Sequence, residues 1–500
     1  MSSSPVTPLH VATEAGRRLR VSVALDSALP PEWQVESCRR ALDLDFVEGV
    51  AVCGGNPQST ALFAGFGLTP DAETDCDVLL DLICAAHPES SGNPAGRMRP
   101  RVGTLRLERE VKRTGLSDLL LPQQIFAVVA TLEPSGESRG AGNSSVEEIC
   151  RIVESYRLSI REENNRKAID RASTLCLSRA LRRLHAGRAM PDTSFANARP
   201  EARGQGLLHG LRLFCVSLRG NIEARTGGQA WRMAWRKADE DDLPGLDGRS
   251  DGANPFRRVV MPDDGEAADP FAVVYQGDVH LFFERIPPGG VRGELACGIF
   301  ADGRLHDMRE VMVRPFHLSY PQIFEADGGW WMIPESGEAG RVDLFRAERF
   351  PDRWIFEKTL LQGFSMVDAT IHRQDGLWYL AVTVDECGHG AEWALFLFMS
   401  EQLTGPWRPH PHNPVRNDVR DTRGAGPFLR HGGQWLRPAQ DGSRGYGSSL
   451  TFQRVLEMTP DNHAEERVAS FRPERIGRIE GCHTFSQAGG FQFIDFREKR

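Results

Sequence analysis

Residues 268–284 read ADPFAVVYQGDVHLFFE, and the order of features in them decides the fold. A small or polar opening is followed by a short apolar strand, a turn containing glycine and an aromatic-rich strand. The same order returns at 319–336 (SYPQIFEADGGWWMIPES), 367–384 (VDATIHRQDGLWYLAVTV), 424–441 (GAGPFLRHGGQWLRPAQD) and 481–498 (GCHTFSQAGGFQFIDFRE). The openings, anchored on Asp269, Tyr320, Asp368, Gly426 and His483, are 51, 48, 58 and 57 residues apart. That period suits one four-stranded propeller blade per repeat, so 229–500 reads as an all-β five-bladed propeller. A β-sandwich with unrelated hairpins is the competing fold, and the shared order of features argues against it. In a propeller the first strand of each blade lines the central channel, so Asp269, Tyr320, Asp368, the Arg423–Gly426 stretch and His483 converge on one mouth. The segment QAWRMAWR at 229–236 alternates Trp231, Met233 and Trp235 with Arg232, Ala234 and Arg236, the pattern of a half-buried strand that helps close the ring.

Upstream the texture differs. LRVSVALD (19–26) reads as a buried strand, 32–43 as a helix, 47–53 as a second strand and DVLLDLICA (77–85) as a third. This β-α-β alternation predicts an α/β domain over 17–185. Residues 102–131 add strands around a charged turn, and 146–185 read as helical, closing on a glycine C-cap. A Pro-, Ala- and Arg-rich linker and a packing helix at 205–222 fill 186–228, and 238–254 form an acidic, Gly-rich loop.

At 500 residues the chain exceeds one ordinary core, which agrees with two domains. A net charge of -8 argues against a nucleic-acid footprint, which would need a basic face. The ten cysteines are scattered without a CxxC pair, so neither a zinc site nor a redox motif is indicated. Their scatter fits reduced thiols in a cytoplasm. The N-terminus lacks the apolar core of a signal peptide, and no apolar run of about 18 residues could span a bilayer. The expectation is a soluble cytoplasmic protein.

The mouth residues carry the chemistry. Asp269 and Asp368 open blades one and three, and Glu335 ends the second strand of blade two. Glycosidic chemistry needs one carboxylate as base or nucleophile and a second carboxyl as acid, and crowding raises one pKa as the acid requires. Caps on turn N–H groups are the structural alternative for both aspartates. Arg437, Gln440 and Asp441, with Tyr446 close behind, offer a fork for carboxylate or phosphate and acceptors for sugar hydroxyls, or else an inter-blade salt bridge. His317 and Tyr320 could stack on a sugar ring, and His483 stands at the fifth opening. Cys387 with His389, His410 with His412, Asn164 to Arg166 and His87 lack a third catalytic group, a metal-ligand spacing or a phosphate loop, so they are set aside. No metal site and no particular cofactor is indicated.

The motifs HLSYPQIF, MIPES, VDATI, GPWRPHPHNPV and LRPAQD, in this order, resemble the propeller at the N-terminus of plant glucosamine inositolphosphorylceramide transferases and related bacterial proteins. More distantly, the region is similar to the five-bladed propellers of arabinanases, β-xylosidases and invertases. That resemblance implies a base at Asp269 and a supporting carboxylate at Asp368, by blade position. Where those enzymes carry the acid in a Glu-Gly-Pro, this chain has Ala425-Gly426-Pro427, leaving Glu335 to substitute. The first half weakly resembles a formyltransferase-like domain, without its active-site residues. The leading expectation is an enzyme that transfers or hydrolyses a glycosyl linkage. Two others stand beside it: a non-catalytic module binding a glycan or sugar phosphate, and a formyl or acyl transferase acting on an amino sugar.

Overall fold

The structure is a computed structural model that describes residues 19–24, 32–45, 47–53, 69–70, 76, 78–81, 103–113, 124–134, 150–157, 162–185, 229–239, 242–245, 254–363, 365–385, 394–472 and 481–499. They fall into two compact units, one before residue 203 apart from a short excursion and one from 203 onward. The first contains β1 (Leu19–Ala24), α1 (Glu32–Leu42), β2 (Val47–Cys53), β3 (Thr69–Pro70), β4 (Val78–Asp81), β5 (Gly103–Arg113), β6 (Gln124–Pro134), β7 (Cys150–Arg157) and α2 (Glu162–His185). The sheet order is β3-β2-β1-β4-β5-β6-β7, parallel as far as β5 and antiparallel beyond it. Ala172, Cys176, Ala180 and Leu184 recur every four residues along α2 and form a buried stripe, as an amphipathic helix requires. Residues 150–157 differ from the helical expectation: Ile152, Val153 and Tyr156 suit a strand, and β6 offers them an antiparallel partner. The expected helix at 205–222 and linker at 186–203 lie outside the described residues, as do His87, Cys387 and His389. Among the described residues no helix is long and apolar enough to cross a membrane.

The second unit is a five-bladed propeller. Blade one runs through Glu266–Tyr275, Asp278–Ile286, Glu294–Ala301 and Arg304–Met312, each strand bonded to the next. Blade two uses Ser319–Ala326, Gly329–Glu335, Arg341–Arg349 and Arg353–Gln362, and blade three Met366–Gln374, Leu377–Val384, Ala394–Ser400 and Arg408–Pro409. In blade four the inner strand is broken into Arg423–Gly424 and Leu429–His431, with Pro427, which has no N–H to give a ladder, inside the break. Its remaining strands are Gln434–Gln440, Leu450–Met458 and His463–Phe471. Blade five takes Phe485–Ala488 and Phe491–Lys499 from the C-terminal end and Gln229–Lys237 and Arg257–Arg258 from the other end of the propeller sequence. Trp231 to Trp235 therefore sit in the strand that completes the ring.

Two local devices repeat with the blades. The first and second strands meet at Gln276-Gly277, Asp327-Gly328, Asp375-Gly376, Gly432-Gly433 and Gly489-Gly490, all ten residues with φ between 50° and 91°. Positive φ at both central residues is the tight turn whose twist matches the flanking strands, and glycine is its natural second residue. The other device lies at the opposite end of the inner strand. Ala268 pairs with Glu284, but Phe271 pairs with Phe282, so one extra residue is accommodated between them. Ser319 with Glu335 and Val367 with Thr383 begin the same irregularity in blades two and three.

Candidate functional site

The bulges deliver the site. Asp269, Tyr320 and Asp368 occupy them with φ of 51°, 44° and 52°, a left-handed conformation that is uncommon for residues other than glycine. Such strain persists only where surrounding bonds over-determine it, and it concentrates at functional sites. Here those bonds join blades. The Asp269 N–H donates to Asp495 Oδ2 at 3.0 Å, and the Tyr320 N–H donates to Asp269 Oδ2 at 3.0 Å. Thr484 Oγ1 donates to Asp269 Oδ1 at 2.5 Å.

Asp269 is only 6% exposed, and burial pushes its carboxyl up to about 7, with Glu284, Asp495 and Asp368 adding to the rise and His483 opposing it. Asp368, 4% exposed, accepts from Arg423 Nε at 2.5 Å and from Gln440 Nε2 at 3.3 Å. Glu335 accepts from the Gly337 N–H at 2.6 Å on Oε1 and from Ser319 Oγ at 2.8 Å on Oε2. Burial raises its pKa and the nearby Asp368 carboxylate adds to the effect, against the hydroxyl of Ser319. The three carboxyls thus come from three blades, and Asp368 lies close enough to act on both others.

His483 Nδ1 lies 2.5 Å from Asp495 Oδ2 and 3.6 Å from Asp269 Oδ1. Burial alone would lower its pKa, but Asp495 and then Asp269 outweigh it and lift it to about 9. Its ring stacks on Trp231, centroids 4.0 Å apart, and Tyr446 meets both edge-on. Arg423 lies over the Tyr446 ring at 4.8 Å, which joins this aromatic group to the Asp368 side. Tyr446 is 38% exposed and presents its free surface to solvent.

The remaining expected residues are placed differently. Tyr320 is wholly buried, with its hydroxyl donating to the Gly426 carbonyl at 3.2 Å and accepting from the Gly426 N–H at 2.7 Å. It braces blade two against the break in blade four instead of offering a face to a sugar. Arg437 is buried and points away from the carboxyls, both arms on Glu465 at 2.7 and 2.8 Å and one also on the Asp421 carbonyl. Asp441 caps a short turn by accepting from the Ser443 N–H at 3.0 Å. Gln440 reaches the site through Asp368, and His317 through Glu284, whose Oε1 lies 3.2 Å from His317 Nε2. Hydrogen bonding to Glu284 raises the His317 pKa against the effect of burial.

Glu284, Ser319, Thr484 and Asp495 were not singled out from the sequence. Glu284 had a legible signal: it stands near the end of the second strand of blade one, as Glu335 ends that of blade two, and each pairs with the residue before the bulge. Asp495 had none, because it lies inside an aromatic strand whose neighbours are core. Asp269, His483 and Asp495 place one ligand atom each within 4.8 Å of one another, but these atoms are already bonded as an ion pair and its neighbour.

Comparisons with known proteins agree with this region. Residues 261–478 match the family described as glucosamine inositolphosphorylceramide transferase 1, N-terminal. The chain is 30% identical over 218 residues to glucosamine inositolphosphorylceramide transferase 1 of Arabidopsis thaliana, which covers 42% of this chain and 28% of that one. It is 29% identical over 238 residues to the protein of that name from Oryza sativa subsp. japonica, covering 44% and 32%. The chain therefore spans less than a third of the length of these curated relatives. Among solved structures it is similar to the GH43_1 enzyme from Xanthomonas citri complexed with xylotriose, at 13% identity and a TM-score of 0.34, covering 49% of this chain and 94% of that one. An exo-β-1,3-galactanase from Phanerochaete chrysosporium with galactose is similar at 10% identity and a TM-score of 0.33, covering 48% and 62%.

Proposed function

We propose that the propeller mouth is a carbohydrate-active site that transfers or hydrolyses a glycosyl linkage. The reading is carried by one observation: Asp269, Glu335 and Asp368 come from three blades, the Asp368 charge acts on both others, and Asp269 and Asp368 sit in the same strained bulge. Asp269 serves as base or nucleophile. As base it takes the proton of the attacking hydroxyl or water while that oxygen bonds to the anomeric carbon. Glu335, whose burial favours the protonated form, gives its proton to the departing oxygen as the old bond breaks. Asp368, ion-paired to Arg423, tunes Asp269 through its charge. The blade-four alternative for the acid is absent, since Ala425 occupies that place and is buried. Relatives whose name describes a sugar transferase support the substrate class.

Purified protein screened against aryl glycosides and sugar-nucleotide donors tests this. Asp269→Asn combined with Asp368→Asn is expected to lower turnover about 10²–10⁴-fold. If that double variant keeps its activity, the assignment fails. With Asp269 as base, activity should rise with pH through about 7, where its carboxyl ionises.

A binding module without turnover is the second reading. It is favoured by the engagement of both Asp269 oxygens by neighbouring blades, a fastening role in itself. Turnover lost in Asp269→Asn with affinity retained would rule it out. In the same proposal the first half, 17–185, is a degenerate α/β domain of formyltransferase type, joined by 186–228 to the propeller at 229–500.

A further inference from the structure

The side chains most open to solvent at this mouth are not the ones that the bulges strain. Asp269 and Asp368 lie beneath the surface, whereas the Glu284 and His317 side chains keep 13% and 35% of their exposure. Glu284 is held by a small device of its own. The Gly293 N–H donates to His317 Nδ1 at 3.0 Å, so in the neutral ring the hydrogen is on Nε2, the atom that faces Glu284 Oε1 at 3.2 Å. A Cβ at Gly293 would lie 2.7 Å from His317 Cε1, 2.8 Å from Glu284 Oε1 and 2.6 Å from the Leu318 carbonyl. Only glycine lets the imidazole and carboxylate close on this backbone. In blade two a glycine likewise stands against the carboxylate, for a Cβ at Gly337 would lie 2.6 Å from Glu335 Oε1.

We infer that Glu284, positioned by His317 and Gly293, is a further ligand-contacting carboxylate of this mouth, and that with Glu335 it selects sugars presenting hydroxyl or amino donors over sugars carrying phosphate. The inference rests on the site reading above. A carboxyl group has more lone-pair positions than one or two protein partners fill, so both glutamates keep acceptor capacity for a ligand. Two cations beside the carboxyls are already engaged: Arg423 is on Asp368 and over Tyr446, and His483 is on Asp495. A phosphate entering here would meet the Glu284 carboxylate with the ion-paired Asp368 carboxylate behind it, and like charges at short range in a half-buried site repel strongly. His317 becomes a positioning residue in this arrangement, because both of its ring nitrogens are committed.

The test uses the full chain and three probes, glucosamine, glucose and glucose 1-phosphate, read by saturation-transfer NMR. Wild type should bind the first two, and glucose 1-phosphate about tenfold more weakly or not at all. Glu284→Gln should weaken glucosamine binding about tenfold, the loss expected for one charge-assisted hydrogen bond, with an unchanged melting temperature. Gly293→Ala should lose as much. Long-range proton–nitrogen spectra at pH 8 should show His317 carrying its hydrogen on Nε2. Binding unaffected by Glu284→Gln, glucose 1-phosphate bound as well as glucose, no binding of any probe by wild type, or a hydrogen on Nδ1 would each overturn the inference. If Asp269→Asn abolishes turnover while Glu284→Gln changes nothing, this inference fails and the site reading stands. If neither substitution changes turnover or binding, both fail.

Discussion

At the scale of single residues the site is a set of charges whose settings depend on burial. His483 carries the clearest consequence for pH. Its pKa is about 9 in the folded protein and 6.5 for an ordinary histidine, so its ion pair with Asp495 stabilises fully below about 6.5 and is lost as pH rises through 9. The protein should therefore lose on the order of a few kcal/mol between pH 6.5 and 9.5, and His483→Gln should flatten that limb in denaturant titrations at several pH values. An unchanged slope in the variant would contradict the assignment. The residue scale is also where the sequence was least legible. Asp269, Asp368 and Glu335 could be picked out because they stand at repeat positions where a carboxyl is unusual. Asp495 could not, since nothing local distinguishes an aspartate buried beside His483 from one on an exposed strand face. Arg437 illustrates the converse: a guanidinium beside Gln440 and Asp441 in sequence turns to Glu465, because successive strand residues point to opposite faces.

At the scale of elements, the repeat was readable because each hairpin announces itself with glycine between an apolar and an aromatic strand. The bulge was not, because no residue type marks it: aspartate, tyrosine and aspartate occupy it in turn. Two glycines separate the demands of conformation from those of space. Gly328 has φ of 74° and no atom within 4 Å of a would-be Cβ, so Gly328→Ala should cost about 1 kcal/mol, the strain of a left-handed alanine alone. Gly426 has φ of 131°, and its Cβ would fall 1.9 Å from the Phe485 carbonyl oxygen, against backbone that cannot step aside. Gly426→Ala should lower stability by several times the Gly328→Ala loss, and thermal melts of the two variants would compare them. Equal losses would mean that the break in blade four is softer than its contacts imply. The helical expectation for 150–157 failed at this scale for a different reason, namely that pairing with β6 lies outside the window in which helical periodicity is read.

At the scale of the molecule, the propeller is one cooperative object because its fifth blade is shared between distant parts of the chain. Residues 491–499 pair along their whole length with 229–237, in register from Phe491 with Lys237 to Lys499 with Gln229. Removing residues 485–499 should therefore abolish the cooperative melting transition instead of trimming it, as calorimetry would record; a truncated protein that still melts sharply would show that four blades suffice. The same closure was visible in sequence only as an alternating tryptophan strand without a partner, since the partner lies more than two hundred residues away. It also bears on how the protein is made. The strand at 229–237 leaves the ribosome long before its mate, and until residues 491–499 have emerged it presents an unpaired edge, the kind of surface that chaperones hold and aggregates recruit. Nascent chains stalled before residue 491 should thus be clients of the cell's quality control, whereas a chain that includes 491–499 withdraws the signal by closing its ring.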